Sequence, residues 1–266
     1  MGRLADLGGP QPLVQRAINT FVRVYGINLD EAIVPPGGFS SFDAFFTRPL
    51  KPGARTVDAR PNVLVSPADG RVEDLGRIDE RARFRVKGFD YTAGELLGDD
   101  AEAARFAGGT FFIVYLSPRD YHRVHTPVAG PVLRARHVDG TLYPVNSIGL
   151  THVPRLFARN ERVVTVQRSE HGMDVATIMV GAIGVGRITM SFDERIVTNR
   201  GRAAATVEYG AAGPDLGRGG ELGKFHLGST AIVMWGPEKR GSFLVQEGAS
   251  VRMGQALVEL GDPVHG

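Results

Sequence analysis

The sequence predicts a mainly β, α+β protein: a β-rich domain of sandwich or barrel type preceded by amphipathic helices. Three observations carry this reading. Beyond Pro49 the chain is a succession of short apolar or β-branched runs, each of strand length and each bounded by turn residues. Gly 35 and Pro 16 in 266 residues supply the turns such a chain needs, and a hydrophobic fraction of 42% supplies its core. Before Pro49, by contrast, apolar residues recur at helical spacing.

The first element is "PLVQRAINTFVRVYG", with Pro12 suited to a helix start and Gly26 to its end. At about 100° per residue, Leu13, Val14, Ala17, Ile18, Phe21, Val22, Val24 and Tyr25 fill one half of the wheel, and the polar residues fill the other. Such a helix either docks on the protein's own core or lies in a membrane interface, Phe21 in the apolar layer and Arg16 and Arg23 near anionic head groups. Burial of each large side chain is worth ~1.5–3 kcal/mol in either place, so energy does not choose between them. "SSFDAFFTRPL" follows: Ser40 or Ser41 caps a short helix, Phe42, Phe45 and Phe46 enter the core, and Pro49 stops it.

Strands are expected at 63–66, 82–87, 110–116, 131–138, 162–167, 174–183, 185–190, 205–209, 231–235, 242–246 and 256–260. Residues 93–106 and about 148–158 read as helical or irregular. No charge run or Pro/Ser linker divides residues 49–266, so they are expected to form one β-rich catalytic domain after a helical, membrane-associating segment at 1–48. "SPADGRV", "TPVAGPV" and "VQEGASVRMGQALVEL" are similar to the strand-turn units of biotinyl and lipoyl domains, but no Lys occupies the hairpin tip where those domains carry their cofactor.

Composition removes several classes of function. With Cys 0 there is no disulfide, thiolate nucleophile or Cys-ligated zinc. A net charge of +2 gives no basis for nucleic-acid binding. The start "MGRLADLGGPQPLVQ" lacks the parts of a signal peptide, and no window approaches 18 uncharged apolar residues, so the chain is expected in the cytoplasm.

Four segments carry candidate chemistry. "SPADG" holds Asp69 in a turn. "YLSPRDYHRVHTPVAG" holds His122 and His125, three residues apart, without the His-Glu-x-x-His pattern of a helical zinc site. "GTLYPVN" is a polar loop beside an aromatic residue. "ELGKFHLGSTAIVMW" places Gly228, Ser229 and Thr230 at the mouth of an uncharged apolar run, and His226 lies just before them as a bystander. An Asp, a His and a Ser are the parts of an activated-hydroxyl triad. From these residues alone, a serine hydrolase using Asp69, His125 and Ser229 and a non-catalytic biotinyl-like module both stay open. No Gly-x-Ser-x-Gly elbow supports the former.

Taken in order, "FFTRPLKPGAR", "SPADGRV", "YLSPRDYHRVHTPVAG", "LYPVN", "LFARNERVV", "VGAIGVGRI" and "ELGKFHLGSTAIVMW" resemble the bacterial phosphatidylserine decarboxylases, from about Phe39 to the C-terminus. "YHRVHTP" and "LGST" are distinctive of that family. The resemblance implies self-cleavage between Gly228 and Ser229, giving a β chain (1–228) and an α chain (229–266). The Ser229 hydroxyl attacks the Gly228 carbonyl to form an ester. β-Elimination then leaves dehydroalanine, and hydrolysis releases ammonia and leaves a pyruvoyl group. His125 matches the base for that step, Asp69 the residue that orients it, and His122 a residue of the decarboxylation step. The pyruvoyl ketone would form a Schiff base with phosphatidylserine and act as the electron sink, as pyridoxal phosphate does elsewhere, with neither that cofactor nor a metal. The implied partners are phosphatidylserine and a membrane surface, the two chains forming a heterodimer that a homodimer can double. The implied location is peripheral, on the cytoplasmic face of the cell membrane.

Overall fold

A computed structural model describes residues 10–183, 187–199, 206–226 and 229–262, and within them the chain is mainly β with short helices, as the sequence predicts. Helix α1 spans Gln11–Tyr25, with a proline in its first turn and Gly26 closing it at φ 62°, a left-handed conformation that glycine adopts without strain. Helix α2 spans Phe42–Phe46, and the Ser41 side chain accepts a hydrogen bond from the Ala44 N–H at 3.0 Å. The apolar half of α1 divides in two. Ile18 is fully buried and Val14, Phe21 and Val22 pack with it on Phe39, Phe45 and Phe46. Leu13 and Val24 remain 61% and 72% exposed. The helix therefore docks on the protein's own aromatic cluster and still presents a bare apolar stripe.

The strands are β1 (Val63–Val65), β2 (Gly70–Arg77), β3 (Arg83–Val86), β4 (Phe89–Thr92), β5 (Thr110–Leu116), β6 (Arg123–His125), β7 (Gly130–Val138), β8 (Arg162–Arg168) and β9 (Asp174–Val180). They continue as β10 (Ile188–Met190), β11 (Thr206–Glu208), β12 (Asp215–Leu216), β13 (Glu221–Phe225), β14 (Ser229–Trp235), β15 (Arg240–Phe243), β16 (Ser250–Val251) and β17 (Ala256–Gly261). A nine-stranded sheet runs β11-β7-β8-β9-β14-β5-β2-β16, with β12 beside β7. Two three-stranded sheets, β1-β17-β15 and β10-β13-β6, and the hairpin β3-β4 complete the set. Two of the three lipoyl-like pieces meet, Gly70 of "SPADGRV" lying opposite Val251, and just before the first of them Val63 lies opposite Glu259.

Strand β14 is the centre of the large sheet. It pairs antiparallel with β5, placing Ser229 opposite Leu116 and Thr230 opposite Tyr115, and with β9 on its other side. All of β14 is buried, which is why its sequence reads as an unbroken apolar run rather than an alternation. Successive side chains still point to opposite faces: Ile232 and Met234 enter one core, Val233 and Trp235 another.

The structure adds strands the sequence does not predict: β2, β4, β6, β12, β13 and β16. Strand β2 is only half buried and is bulged between Val72 and Asp74, so no alternation marks it. In β13, Gly223 interrupts the pattern because the strand runs close to β10; a Cβ there would stand 2.6 Å from the Thr189 carbonyl oxygen. The strand expected at 174–183 ends at Val180, where the Gly181 N–H turns to the Glu161 carbonyl. That expected at 242–246 lies instead at 240–243, the span that pairs with β17. The first residues expected at 185–190 and 205–209 fall outside the described residues, and Ile188–Met190 and Thr206–Glu208 are strand. The stretch 93–106 forms α3 (Ala93–Leu97), α4 (Asp100–Ala103) and a short 3-10 turn, and 148–158 carries α5 (Ser147–His152) and α6 (Leu156–Arg159).

Candidate active site

Ser229 opens β14 and is fully buried, with no hydrogen-bond partner for its Oγ among the described residues. A buried hydroxyl left unpaired costs ~1–3 kcal/mol, so its persistence in the middle of the sheet calls for a chemical reason. Gly228 lies outside the described residues.

The turn before β2 and the strand β6 are held together by backbone, with the His125 N–H donating to the Pro67 carbonyl at 2.7 Å. This brings His125 beside the Asp69 turn although they are far apart in sequence. The His125 ring contacts the Gly219 carbonyl through Nδ1 at 2.8 Å and the Tyr121 hydroxyl through Nε2 at 3.2 Å. A carbonyl can only accept, so Nδ1 carries the hydrogen and Nε2 offers its lone pair. Burial pulls the His125 pKa below the ordinary histidine value, with the Gly219 carbonyl opposing. Burial also raises the Tyr121 pKa, so that hydroxyl keeps its proton.

His122 is fully buried against the Phe46 ring, 5.1 Å between centroids, and neither ring nitrogen makes a well-formed hydrogen bond among the described residues, the Pro118 backbone interacting only weakly. Its pKa is lowered to about 3, chiefly by burial and then by the Arg48 charge. His122 and His125 thus share no ligand position, and among the described residues neither belongs to a cluster able to hold an ion.

Asp69 sits at the end of a tight turn, 7% exposed. Its carboxylate accepts from Arg55 Nε at 2.8 Å, from Arg55 Nη2 and from the Met253 N–H at 2.9 Å. The sequence expectation pairs Asp69 with His125; in the structure the hydrogen bonds of Asp69 go to Arg55 and Met253, and its charge is the weakest influence named on His125. Arg55 also bridges to Glu31 at 2.7 Å, tying the segment after α1 to the Asp69 turn.

His226, read from sequence as a bystander, is engaged. Its Nδ1 lies 2.6 Å from Asp43 of α2 and its Nε2 3.1 Å from the Thr189 hydroxyl. A helix of the N-terminal segment is therefore latched to the chain just before Ser229. Arg123 adds to the join, with Nε donating to the Thr47 carbonyl at 2.9 Å. Neither Arg55 nor Asp43 was singled out by sequence, although "FFTRPLKPGAR" contained the first. On α1, Arg16 and Arg23 are exposed, while Phe21 is half buried at 5.1 Å from Phe42 and 5.4 Å from Phe46. One edge of Phe21 still lines the open apolar groove with Leu13, Ala17, Val24 and Tyr25.

A cavity of about 690 Å³ opens between the end of α1, the Asp69 turn, the 117–121 loop and residues 250–252. Its wall includes Tyr115 and Ser117, which flank the residue opposite Ser229 on β5, and Tyr121, which touches His125. Tyr121 therefore joins the cavity wall to the ring of the candidate base.

A family model described as phosphatidylserine decarboxylase matches residues 42–259. The chain is 45% identical over 263 residues to the phosphatidylserine decarboxylase proenzyme of Bordetella pertussis (strain Tohama I), covering 97% of this chain and 88% of that one. It is 42% identical over 258 residues to the proenzyme of the same name from Shewanella putrefaciens (strain CN-32), covering 94% and 89%. With that of Pseudomonas putida (strain GB-1) the identity is 46% over 245 residues, covering 90% and 85%.

Proposed function

The chain belongs to the phosphatidylserine decarboxylase family and is a decarboxylase; on that premise we propose that it converts phosphatidylserine to phosphatidylethanolamine through a pyruvoyl group made from its own Ser229. The observation that carries the proposal is the buried Ser229 Oγ at the start of the central strand, unpartnered among the described residues. Full burial in the undivided chain counts against the hydrolase reading, in which an external acyl donor must reach that oxygen before any cut, whereas the decarboxylase reading asks for access only after the chain divides. It suits an attack on the preceding residue of the same chain.

In this reading His125 takes the Ser229 proton on Nε2, and its lowered pKa keeps that nitrogen free of a proton at neutral pH. An oriented base of this kind contributes ~10²–10⁴-fold. The Ser229 oxygen forms an ester with the Gly228 carbonyl carbon as the peptide C–N bond breaks. Loss of the Ser229 α-proton then expels the Gly228 carboxylate, and water releases ammonia. Arg55 holds Asp69, and through the Asp69 turn it fixes the backbone that His125 hangs on. The group so formed supplies a carbonyl that takes the substrate amine and draws off the electron pair left by departing CO₂. His122, neutral and shut away from water, acts in that later step by contacting the substrate or handling a proton.

The products are a β chain (1–228) and an α chain (229–266), which remain a heterodimer because β14 lies inside the sheet; a homodimer of that pair is compatible. Residues 1–48 form the membrane-associating segment and 49–266 the catalytic domain. No described helix is long and apolar enough to cross a membrane. The bare stripe of α1, with Arg16 and Arg23 beside it, supports peripheral attachment at the cytoplasmic face.

Intact mass under denaturing conditions tests the proposal. Wild-type protein is expected as two chains, the smaller beginning with a pyruvoyl group, and Ser229→Ala as one inactive chain. A small chain that begins with unmodified serine, or an active protein that never divides, overturns it.

A further inference from the structure

Five arginines, Arg48, Arg55, Arg71, Arg119 and Arg252, line the 690 Å³ cavity and outnumber its carboxylates Glu31, Asp69 and Asp120. Four of them are already satisfied. Arg55 is paired with Asp69 and Glu31, Arg71 with Glu73 at 2.8 Å, Arg119 with Asp120 at 3.9 Å and Arg252 with Glu31 at 3.5 Å. Arg48 differs. It is 3% exposed, yet no carboxylate lies within ion-pair distance of it among the described residues. Its Nη1 donates to the Phe45 carbonyl at 3.2 Å and its Nη2 reaches the Asp120 carbonyl at 3.5 Å, while Nε has no partner among the described residues. The guanidinium lies over the Phe45 ring, 5.0 Å from its centroid.

A buried cation is ordinarily paired, because desolvation without a counter-charge is costly. Here burial lowers the Arg48 pKa and the more distant Asp69 opposes only in part. A planar guanidinium in a cavity wall, its Nε–H unpaired among the described residues, suits an oxyanion. We propose that Arg48 is a substrate-positioning residue whose missing counter-ion is the phosphodiester of the lipid head group. This rests on the decarboxylase reading above. The head group offers two anions, and differential binding chooses between them. A cation on the carboxylate would stabilise the ground state and oppose loss of CO₂, whereas the phosphodiester keeps its charge throughout. Placing the phosphodiester on Arg48 also sets the head group beside His122, whose pKa the Arg48 charge already depresses.

The test uses Arg48→Gln and Arg48→Lys, with CO₂ release measured in mixed micelles and chain division followed on denaturing gels. Both variants are expected to divide normally. Arg48→Gln should raise KM by about 10- to 100-fold with little change in kcat, since uniform binding is what is lost. Arg48→Lys, which keeps charge and stem but not the fork, should fall between and guards against a folding defect in the Gln variant. Soluble glycerophosphoserine should inhibit wild type and lose its effect on Arg48→Gln, while free serine acts on both alike. An unchanged KM, a fall in kcat alone, or a folded Arg48→Gln that stays one chain each overturns the assignment. Calorimetric titration of glycerophosphoserine into undivided Ser229→Ala, with and without Arg48→Gln, separates the two ideas: lost binding in the double variant supports the anion site even if the wild type releases no CO₂.

Discussion

The Arg55–Asp69 pair should govern the stability of the site. Their side chains are 8% and 10% exposed. Arg55→Met removes the cation and strands a buried carboxylate whose remaining contact is the Met253 N–H at 2.9 Å. Breaking a buried pair from one side costs ~3–5 kcal/mol. Asp69→Asn is milder, because Arg55 keeps Glu31 at 2.7 Å and the amide oxygen can still accept from Met253. A charged hydrogen bond lost there costs ~1.5–3 kcal/mol. The measurement belongs in the Ser229→Ala background, where the chain is expected to stay whole and unfolding is not complicated by dissociation. Urea slopes are about 1–3 kcal/mol/M for small proteins and rise with size, so the midpoint should fall by roughly 1 M for Arg55→Met and by less for Asp69→Asn. An Arg55→Met cost under about 1 kcal/mol, or equal costs for the two variants, would refute the view that this pair holds the turn.

Chain division should slow only below pH 6.5, because burial depresses the pKa of His125 and keeps the base unprotonated at that pH; a time course at pH 5–8 that slows at or above the ordinary histidine value contradicts it. The His122 pKa of about 3 makes the folded state resist a proton that the unfolded state accepts near 6.5. Stability from this group is full above pH 6.5 and is lost as pH falls toward 3, and His122→Gln should flatten that acid limb in urea titrations. Asp43→Ala should release α2 from His226, costing ~1–3 kcal/mol in the undivided chain and exposing residues before Pro49 to limited proteolysis, while His226→Ala has a similar effect. Leu13→Ser with Val24→Ser should weaken co-sedimentation with anionic vesicles without lowering the melting temperature, whereas Ile18→Ser should lower it.

The elements readable in the sequence are those whose residues repeat one burial pattern, nearly continuous in β5, β9 and β14 and alternating in β3. Strand β5 matches its expected span because each of its residues is apolar or small enough to sit between β14 and β2. The end of α1 at Gly26 is legible because one conformation, φ 62°, favours one residue. What stays hidden is β2, held by neighbours on both sides and not by its own polar residues. The site divides in the same way. Asp69, His122, His125 and Ser229 were visible through motif resemblance. The partners that fix them were not: Arg55 reaches Asp69 and Asp43 reaches His226 across intervals that no local spacing encodes.

Strand β14 has its neighbours β5 and β9 earlier in the chain, and β17 likewise depends on β1. A break before Ser229 turns an arrangement that assembled from one molecule into one that needs two to meet. Under the proposed cut, renaturation would become dilution-sensitive, so folding would have to be complete before the chain divides. From then on the working lifetime would be set by how slowly the sheet opens, not by any equilibrium that could rebuild it.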